Sequence, residues 1–212
     1  MKTKDFIRAL VADHSTQPQS IERRCAVTLA PALLLAAVVF MLGMGTRADL
    51  AVVATDPRFI FKFLVTLSLA ATALMLLCRL ARPGAEISPL ALSLAAAPVL
   101  LAVGVLTELI VTPTSSWPAK LIGTNSLVCL AVVPLLSAPL LVAALVAMRH
   151  GAPTRPGITG AVAGLVAGGL GATIYALNCT DDSPLFVATW YSVAIFIVAA
   201  VGAALGTRML RW

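Results

Sequence analysis

Residues 127–148 read LVCLAVVPLLSAPLLVAALVAM, and this uncharged stretch decides the fold class. A helix needs about 20 apolar residues to cross a hydrocarbon core of about 30 Å, and this run is long enough. Five further runs of similar character flank it, at residues 25–44, 59–77, 89–111, 157–178 and 185–207. The sequence therefore predicts an all-α fold, a bundle of six transmembrane helices joined by short loops.

The composition favours a membrane protein over a soluble one. Of the 212 residues, 60% are hydrophobic and 11% are charged, and the mean hydropathy is +0.99. A water-soluble domain usually carries about 25% charged residues, so most of this surface is not adapted to water. The connections between the runs are short and rich in Pro, Gly, Asp and Ser, which is typical of turns between neighbouring helices.

The distribution of Lys and Arg predicts the orientation. Six spans place both termini on one side of the membrane, and 11 of the 15 basic residues lie on that side. Cytoplasmic loops are enriched in Lys and Arg, so we expect both termini to be cytoplasmic. The same distribution accounts for the basic charge balance, and we expect no direct binding of nucleic acid. The four basic residues on the outer side are Arg47, Arg58, Lys62 and Lys120.

We divide the chain into a cytoplasmic tail at 1–24, a six-helix transmembrane domain at 25–207 and a cytoplasmic C-terminus at 208–212. The tail has apolar residues at helical spacing and charged residues on the opposite face, which predicts an amphipathic helix. Such a helix binds a lipid surface or a groove on a protein. Its acids and bases nearly cancel, which favours a protein partner. The apolar face consists of Phe6, Ile7, Leu10 and Val11.

Two runs carry glycine at intervals of four residues. Gly160, Gly164 and Gly168 lie on one face of the fifth run, and Gly202 and Gly206 on one face of the sixth. Small residues at this spacing let helix backbones approach closely in lipid. We favour packing of these faces within one chain over a seam between copies in a homo-oligomer.

Ionisable residues are scarce within the apolar runs. Lys62 and Glu108 both lie near outer ends, where we expect Lys62 to extend to the outer membrane surface. We expect Glu108 to pair with Lys120 or Lys62. Because transporters need ionisable groups near the bilayer midplane, a small polytopic transporter is a weaker alternative function. A lipid-facing structural subunit is a third.

The sequence has none of the common motifs of metal-dependent or nucleophilic catalysis. His14 and His150 stand in no His-Glu-x-x-His or Cys-x-x-Cys context. A Gly-x-Ser-x-Gly element, a Walker loop and a dinucleotide fingerprint are also missing. We therefore expect neither an enzyme nor a resident cofactor.

The four cysteines divide between the two sides of the membrane. Cys25 and Cys78 fall at the cytoplasmic ends of the first two runs, where thiols stay reduced, and we expect them to be packing residues. Cys129 and Cys179 fall at the outer ends of the fourth and fifth runs. There they could form a disulfide or bind a soft metal ion as thiolates. The residues alone leave two ordinary buried cysteines equally open.

Polar residues surround Cys179 along the chain. Asn178, Asp181 and Asp182 stand within three residues of it. Their oxygens could add hard metal ligands or tune the thiol, so we include them in the candidate site.

Several segments spread over the whole chain are similar to one known family. They are residues 5–13 (DFIRALVAD), 56–62 (DPRFIFK), 79–84 (RLARPG), 125–136 (NSLVCLAVVPLL), 151–156 (GAPTRP) and 178–186 (NCTDDSPLF) with Trp190 and Tyr191. In these segments the chain resembles the NrsF family of six-span anti-sigma factors of the bacterial inner membrane. Residues 178–186 carry the most specific part of the resemblance.

The resemblance implies a negative regulator that holds an extracytoplasmic-function sigma factor at the cytoplasmic face of the inner membrane. It also implies that Cys129 and Cys179 sense heavy-metal or oxidative envelope stress, with a heavy-metal ion bound transiently between them. The partners would then be the sigma factor and membrane lipid. If the tail binds this sigma factor, the predicted sigma-binding residues are Asp5, Phe6, Ile7, Arg8, Leu10, Val11 and Asp13.

Overall fold

The computed structural model describes residues 4–5, 20–82, 84 and 88–211, with only the backbone of residues 88–90. This part of the chain is helical and contains no strand. Six of its helices are long and apolar enough to cross a membrane, which confirms the predicted all-α six-span fold of a multi-pass membrane protein. We number them spans 1 to 6: Ile21–Gly43, Pro57–Leu80, Ala91–Val111, Ser126–Met148, Pro156–Tyr175 and Pro184–Met209.

Side-chain caps fix where the spans begin. The hydroxyl of Ser20 accepts a hydrogen bond from the backbone N–H of Arg23 at 3.3 Å, at the start of span 1. The carboxylate of Asp56 accepts one from the N–H of Arg58 at 2.7 Å, at the start of span 2. These bonds satisfy backbone donors that have no partner inside a helix. Pro57 then occupies the first helical position, where a missing N–H costs nothing.

Span 3 is interrupted near its start, within the run 89–111 that the sequence predicted as one span with Pro98 inside it. A short helix, Ser88–Ser93, and a longer one, Ala96–Val111, are separated by a turn at Leu94 and Ala95. Pro98 explains the break, since it has no N–H to donate to the carbonyl of Leu94 and its ring would clash with that carbonyl in a regular helix.

Span 5 lies at the centre of the bundle and contacts spans 2, 4 and 6. Its glycines allow this packing. A Cβ added at Gly164 would lie 2.5 Å from the Cα of Ala199 in span 6, and one added at Gly160 would overlap the carbonyl oxygen of Gly202. The two backbones can therefore pack this closely only without side chains. The predicted packing of the glycine faces within one chain is confirmed.

The outer surface of the bundle is apolar. Leu42 is 85% exposed and Ile110 is 84% exposed, and many other large apolar side chains also point outward. A surface of this kind is stable against lipid tails but not against water. We call the end where span 1 begins and span 6 ends the terminal end. The loop end is formed by the connections 44–56, 112–125 and 176–183.

Candidate functional site

Lys62 is fully buried at the loop end, so the prediction that it extends to the outer membrane surface was wrong. Its ammonium lies 2.5 Å from a carboxylate oxygen of Asp182 and donates to the backbone carbonyl of Cys179 at 2.7 Å. The ring of Phe59 lies 4.9 Å from the same ammonium. A buried charge is stable only with such partners. The ammonium of Lys62 therefore pairs with the carboxylate of Asp182 instead of reaching water at the membrane surface.

Arg47 reaches the same point from the connection between spans 1 and 2. Its guanidinium holds both carboxylate oxygens of Asp49, at 2.7 and 2.9 Å, and donates to Asp182 at 2.8 Å. It also donates to the carbonyl of Cys179 at 3.3 Å. The Asp49 carboxylate raises the pKa of Arg47, and Arg47 lowers the pKa of Asp49. Arg47 and Lys62 thus both donate to the backbone carbonyl of Cys179, and both pair with Asp182. We call Arg47, Lys62 and Asp182 the charged clamp.

The other predicted polar neighbours of Cys179 also fix the loop. The Asp181 carboxylate accepts hydrogen bonds from the backbone N–H groups of Thr124 at 3.0 Å and Asn125 at 2.8 Å. It therefore lies near the positive end of span 4, where the helix dipole favours an anion. The side-chain amide of Asn178 donates to the carbonyl of Gly45 at 3.0 Å.

Cys129 and Cys179 are free thiols with no exposed surface. Their thiols are close enough to interact electrostatically with each other, within the buried core that also contains Tyr175 and Tyr191. The ring centroids of the two tyrosines are 5.8 Å apart, and each phenol group is close enough to interact electrostatically with both thiols. The structure thus brings the two predicted sensing cysteines into one enclosed environment.

The environment of the Cys179 thiol keeps it protonated. Burial raises the pKa of Cys179, because the interior solvates a thiolate poorly. The positive charge of Lys62 acts in the opposite direction but does not cancel the effect of burial. The sulfur contacts the carbonyl of Asp181 at 3.8 Å. A thiol of this kind reacts slowly until the loop opens.

The arrangement offers a metal ion few ligands. Among the residues that the structure describes, no group of three or more His, Cys, Asp or Glu side chains is placed to hold a metal. A tetrahedral zinc site needs four ligands, so such a site does not fit here. Two thiols are enough for a soft ion of low coordination number, or for a disulfide.

Glu108 forms a second ionic cluster at the loop end. Its carboxylate lies 2.5 Å from the ammonium of Lys120 and 3.0 Å from the guanidinium of Arg58. The predicted pairing of Glu108 with Lys120 is confirmed. The alternative pairing with Lys62 was wrong, because the ammonium of Lys62 is held by Asp182.

Sequence reasoning missed several residues of this site. Tyr175 and Tyr191 are the only tyrosines of the chain, and both lie near the Cys179 thiol, so their rarity was an available signal. Tyr191 had been named only within the family resemblance. Arg47 is one of only four basic residues predicted on the outer side, and this scarcity could also have marked it as a candidate site residue. Nothing in the sequence pointed to the contact of Thr124 and Asn125 with Asp181.

The predicted sigma-binding tail falls almost entirely outside the described residues. Asp5 is described, as an exposed residue in a helical conformation. The remaining predicted positions, Phe6, Ile7, Arg8, Leu10, Val11 and Asp13, lie outside the described residues.

Comparison with known proteins gives a consistent result. The model of the NrsF family, described as negative regulator of sigma F, matches residues 10–212. The chain is 34% identical to the probable anti-sigma-F factor NrsF of Azospira oryzae over 217 aligned positions. It is 32% identical to the anti-sigma-F factor NrsF of Caulobacter vibrioides over 214 positions. Both alignments cover 100% of each chain. No solved structure matches the chain significantly.

Proposed function

The chain belongs to the NrsF family of negative regulators of sigma F, and we propose that it holds an extracytoplasmic-function sigma factor at the bacterial inner membrane. The observation that carries this proposal is the family match over residues 10–212. The protein acts by binding rather than by catalysis. Residues 1–24 form the sigma-binding part, residues 25–207 the membrane part, and both termini face the cytoplasm.

The sequence pattern of residues 1–24, which predicts an amphipathic helix, supports this assignment. Phe6, Ile7, Leu10 and Val11 would enter an apolar groove on the sigma factor, and charged residues of the opposite face would set the register. Burial of one such side chain is worth about 1.5–3 kcal/mol. Two or three of them contribute about 3–9 kcal/mol before the cost of ordering the tail, and a micromolar contact needs about 8 kcal/mol net, so contacts from the cytoplasmic turns would supply the remainder.

Placing charge on the apolar face of the tail should release the sigma factor. We expect the variant Phe6→Asp/Leu10→Asp to bind it roughly 100-fold more weakly, because two buried side chains are lost. The affinity of the full chain in detergent for the purified sigma factor and a sigma-dependent reporter in cells measure this effect.

The matched control is Ala9→Asp/Ala12→Asp, which adds the same charge on the opposite side of the predicted helix. It should keep both affinity and repression. Equal behaviour of the two variants would reject the tail as the binding element, and failure of every variant to bind any sigma factor would reject the proposed function.

The charged clamp suggests how a signal could leave the cysteine site. Cys129 and Cys179 are buried, so an oxidant or a heavy-metal ion can react with them only if the loop around Cys179 moves. The backbone carbonyl of Cys179 is held by Lys62 of span 2, so this movement would act on span 2. At the terminal end, Arg82 after span 2 pairs with Glu22 of span 1. Movement of span 2 would therefore also displace the start of span 1, to which the tail is joined. A coupling free energy of about 1–3 kcal/mol is enough to change occupancy.

Removing the two loop-end thiols should remove the response but not the repression. In the variant Cys129→Ser/Cys179→Ser we expect reporter activity without stress to stay low and induction by cadmium or hydrogen peroxide to fall at least tenfold. The matched control Cys25→Ser/Cys78→Ser removes two thiols at the opposite end and should respond normally. An unchanged dose response in the first variant would end the sensing hypothesis.

The proposed orientation can be tested with single cysteines in a variant whose four native cysteines are changed to serine. Ser115 and Thr154 are exposed at the loop end and the terminal end respectively. In spheroplasts, Ser115→Cys should react with an impermeant maleimide directly. Thr154→Cys should react only after permeabilisation, and the reverse pattern would invert the topology.

A further inference from the structure

A second pair of thiols lies at the terminal end of the bundle. The sulfur atoms of Cys25 in span 1 and Cys78 in span 2 are 4.0 Å apart. Cys25 is buried and Cys78 is partly exposed, and both are free. The two cysteines sit in regular helix, so the backbone fixes their separation. The sequence had predicted only that they were packing residues.

The pair can be reached from outside. An open cavity of about 690 Å³ runs along spans 1 and 2, and both sulfur-bearing side chains line it. Its walls are mostly apolar, with Glu22 and Arg79 as charged residues among its lining. Glu22 and Arg79 lie at the terminal end of the two spans, so a small ion can approach the thiols from there without unfolding the bundle.

The charges around the pair suit an anionic complex. When one monovalent ion M⁺ binds two thiols, two S–H bonds break, two S–M bonds form, and two protons leave to solvent. The product, M(SR)₂, carries a net charge of −1. Arg82 is close enough to Cys78 to interact with it electrostatically, and Arg79 lines the same cavity. Glu22 pairs with Arg82 and opposes the anionic product, but the two cations outnumber this one carboxylate.

The number and spacing of the available ligands favour a metal ion bound by two sulfurs. Among the residues described by the structure, no group of three or more His, Cys, Asp or Glu side chains could hold a metal, which disfavours tetrahedral zinc. Two thiolates in line at about 2.3 Å from an ion would place the sulfurs about 4.6 Å apart, so a shift of about half an ångström suffices. A disulfide needs the sulfurs at about 2.0 Å, a larger change from the observed 4.0 Å than the thiolate complex requires.

We propose that Cys25 and Cys78 form a two-coordinate thiolate site for a soft monovalent cation, Cu(I) or its analogue Ag(I). Thiolates prefer soft ions of this class over harder ones. The site lies within five residues of Ser20, where span 1 begins. It is separate from the loop-end cysteines, and it does not depend on the sigma-binding function proposed above.

The test uses the full chain in detergent with Cys129 and Cys179 changed to serine, so that only this pair remains. Titration with Cu(I) under anaerobic conditions, in competition with a chromogenic chelator, should give one equivalent bound per chain. Cys25→Ser or Cys78→Ser in this background should lose that equivalent. Ala26→Ser, a change in the same cavity that keeps both thiols, should retain it.

Two results would overturn the proposal. One is a parent protein that retains no Cu(I). The proposal fails in that case even if the oxidant diamide converts the two thiols to a disulfide, because the pair would then be a redox couple and not a metal site. The other is an undiminished equivalent after either cysteine is removed. Thermal melting and gel filtration identify any variant that has failed to fold, and Cys25→Ala/Cys78→Ala provides a second variant without the added hydroxyls.

Discussion

Replacing Gly160 by leucine should force spans 5 and 6 apart. The added side chain would meet the carbonyl of Gly202, and a backbone group cannot move aside as a flexible side chain can. We expect a loss of at least about 3 kcal/mol in the free energy of unfolding, at the upper end of overpacking effects. For a chain of this size that corresponds to a Tm lower by roughly 6–12 °C, measured by thermal melting in detergent.

Gly43→Leu is the matched control for this variant. Gly43 ends span 1, and an added Cβ there would have nothing within 4 Å. Its Tm should change by no more than about 1 °C. If Gly160→Leu melted like the control but lost self-association, the glycine face would serve an oligomer rather than the fold of one chain.

The number and type of the spans could be predicted because both follow from local composition. An uncharged run of about 20 residues can satisfy its backbone in lipid only as a helix, and charged turn residues mark its ends. The glycine faces of spans 5 and 6 were predictable for the same reason, since a four-residue spacing is visible in the sequence. The break in span 3 follows from Pro98, a proline within the predicted span, which disrupts the turn before it rather than its own position.

The site was less predictable because its contacts join distant parts of the chain. The sequence placed Cys129 and Cys179 at the same end of the bundle, where the structure has them, but left their burial open. The family resemblance supplied their suggested role, which stays a prediction. The ion pair of Lys62 with Asp182 could not be found, since a lysine near a span end ordinarily extends to the membrane surface. Only the packing of span 2 beside the connection between spans 5 and 6 brings the two charges together.

Replacing Lys62 by methionine should be strongly destabilising. The substitution keeps most of the volume but removes the ammonium that contacts Asp182 and the carbonyl of Cys179. Loss of one partner of a buried pair costs about 3–5 kcal/mol, which corresponds to a Tm lower by roughly 6–20 °C. Lys120→Met is the matched control, because Lys120 is partly exposed and its partner Glu108 keeps Arg58.

A double-mutant cycle separates the charge from the packing. In Lys62→Met/Asp182→Asn neither charge of the pair remains, so the double variant should be less destabilised than the sum of the single ones. A coupling energy near zero would mean that the two charges do not meet. If Lys62→Met also melted like Lys120→Met, the ammonium would lie at the membrane surface, as the sequence alone suggests. Cys179 would then lack the link to span 2 through which we expect its signal to pass.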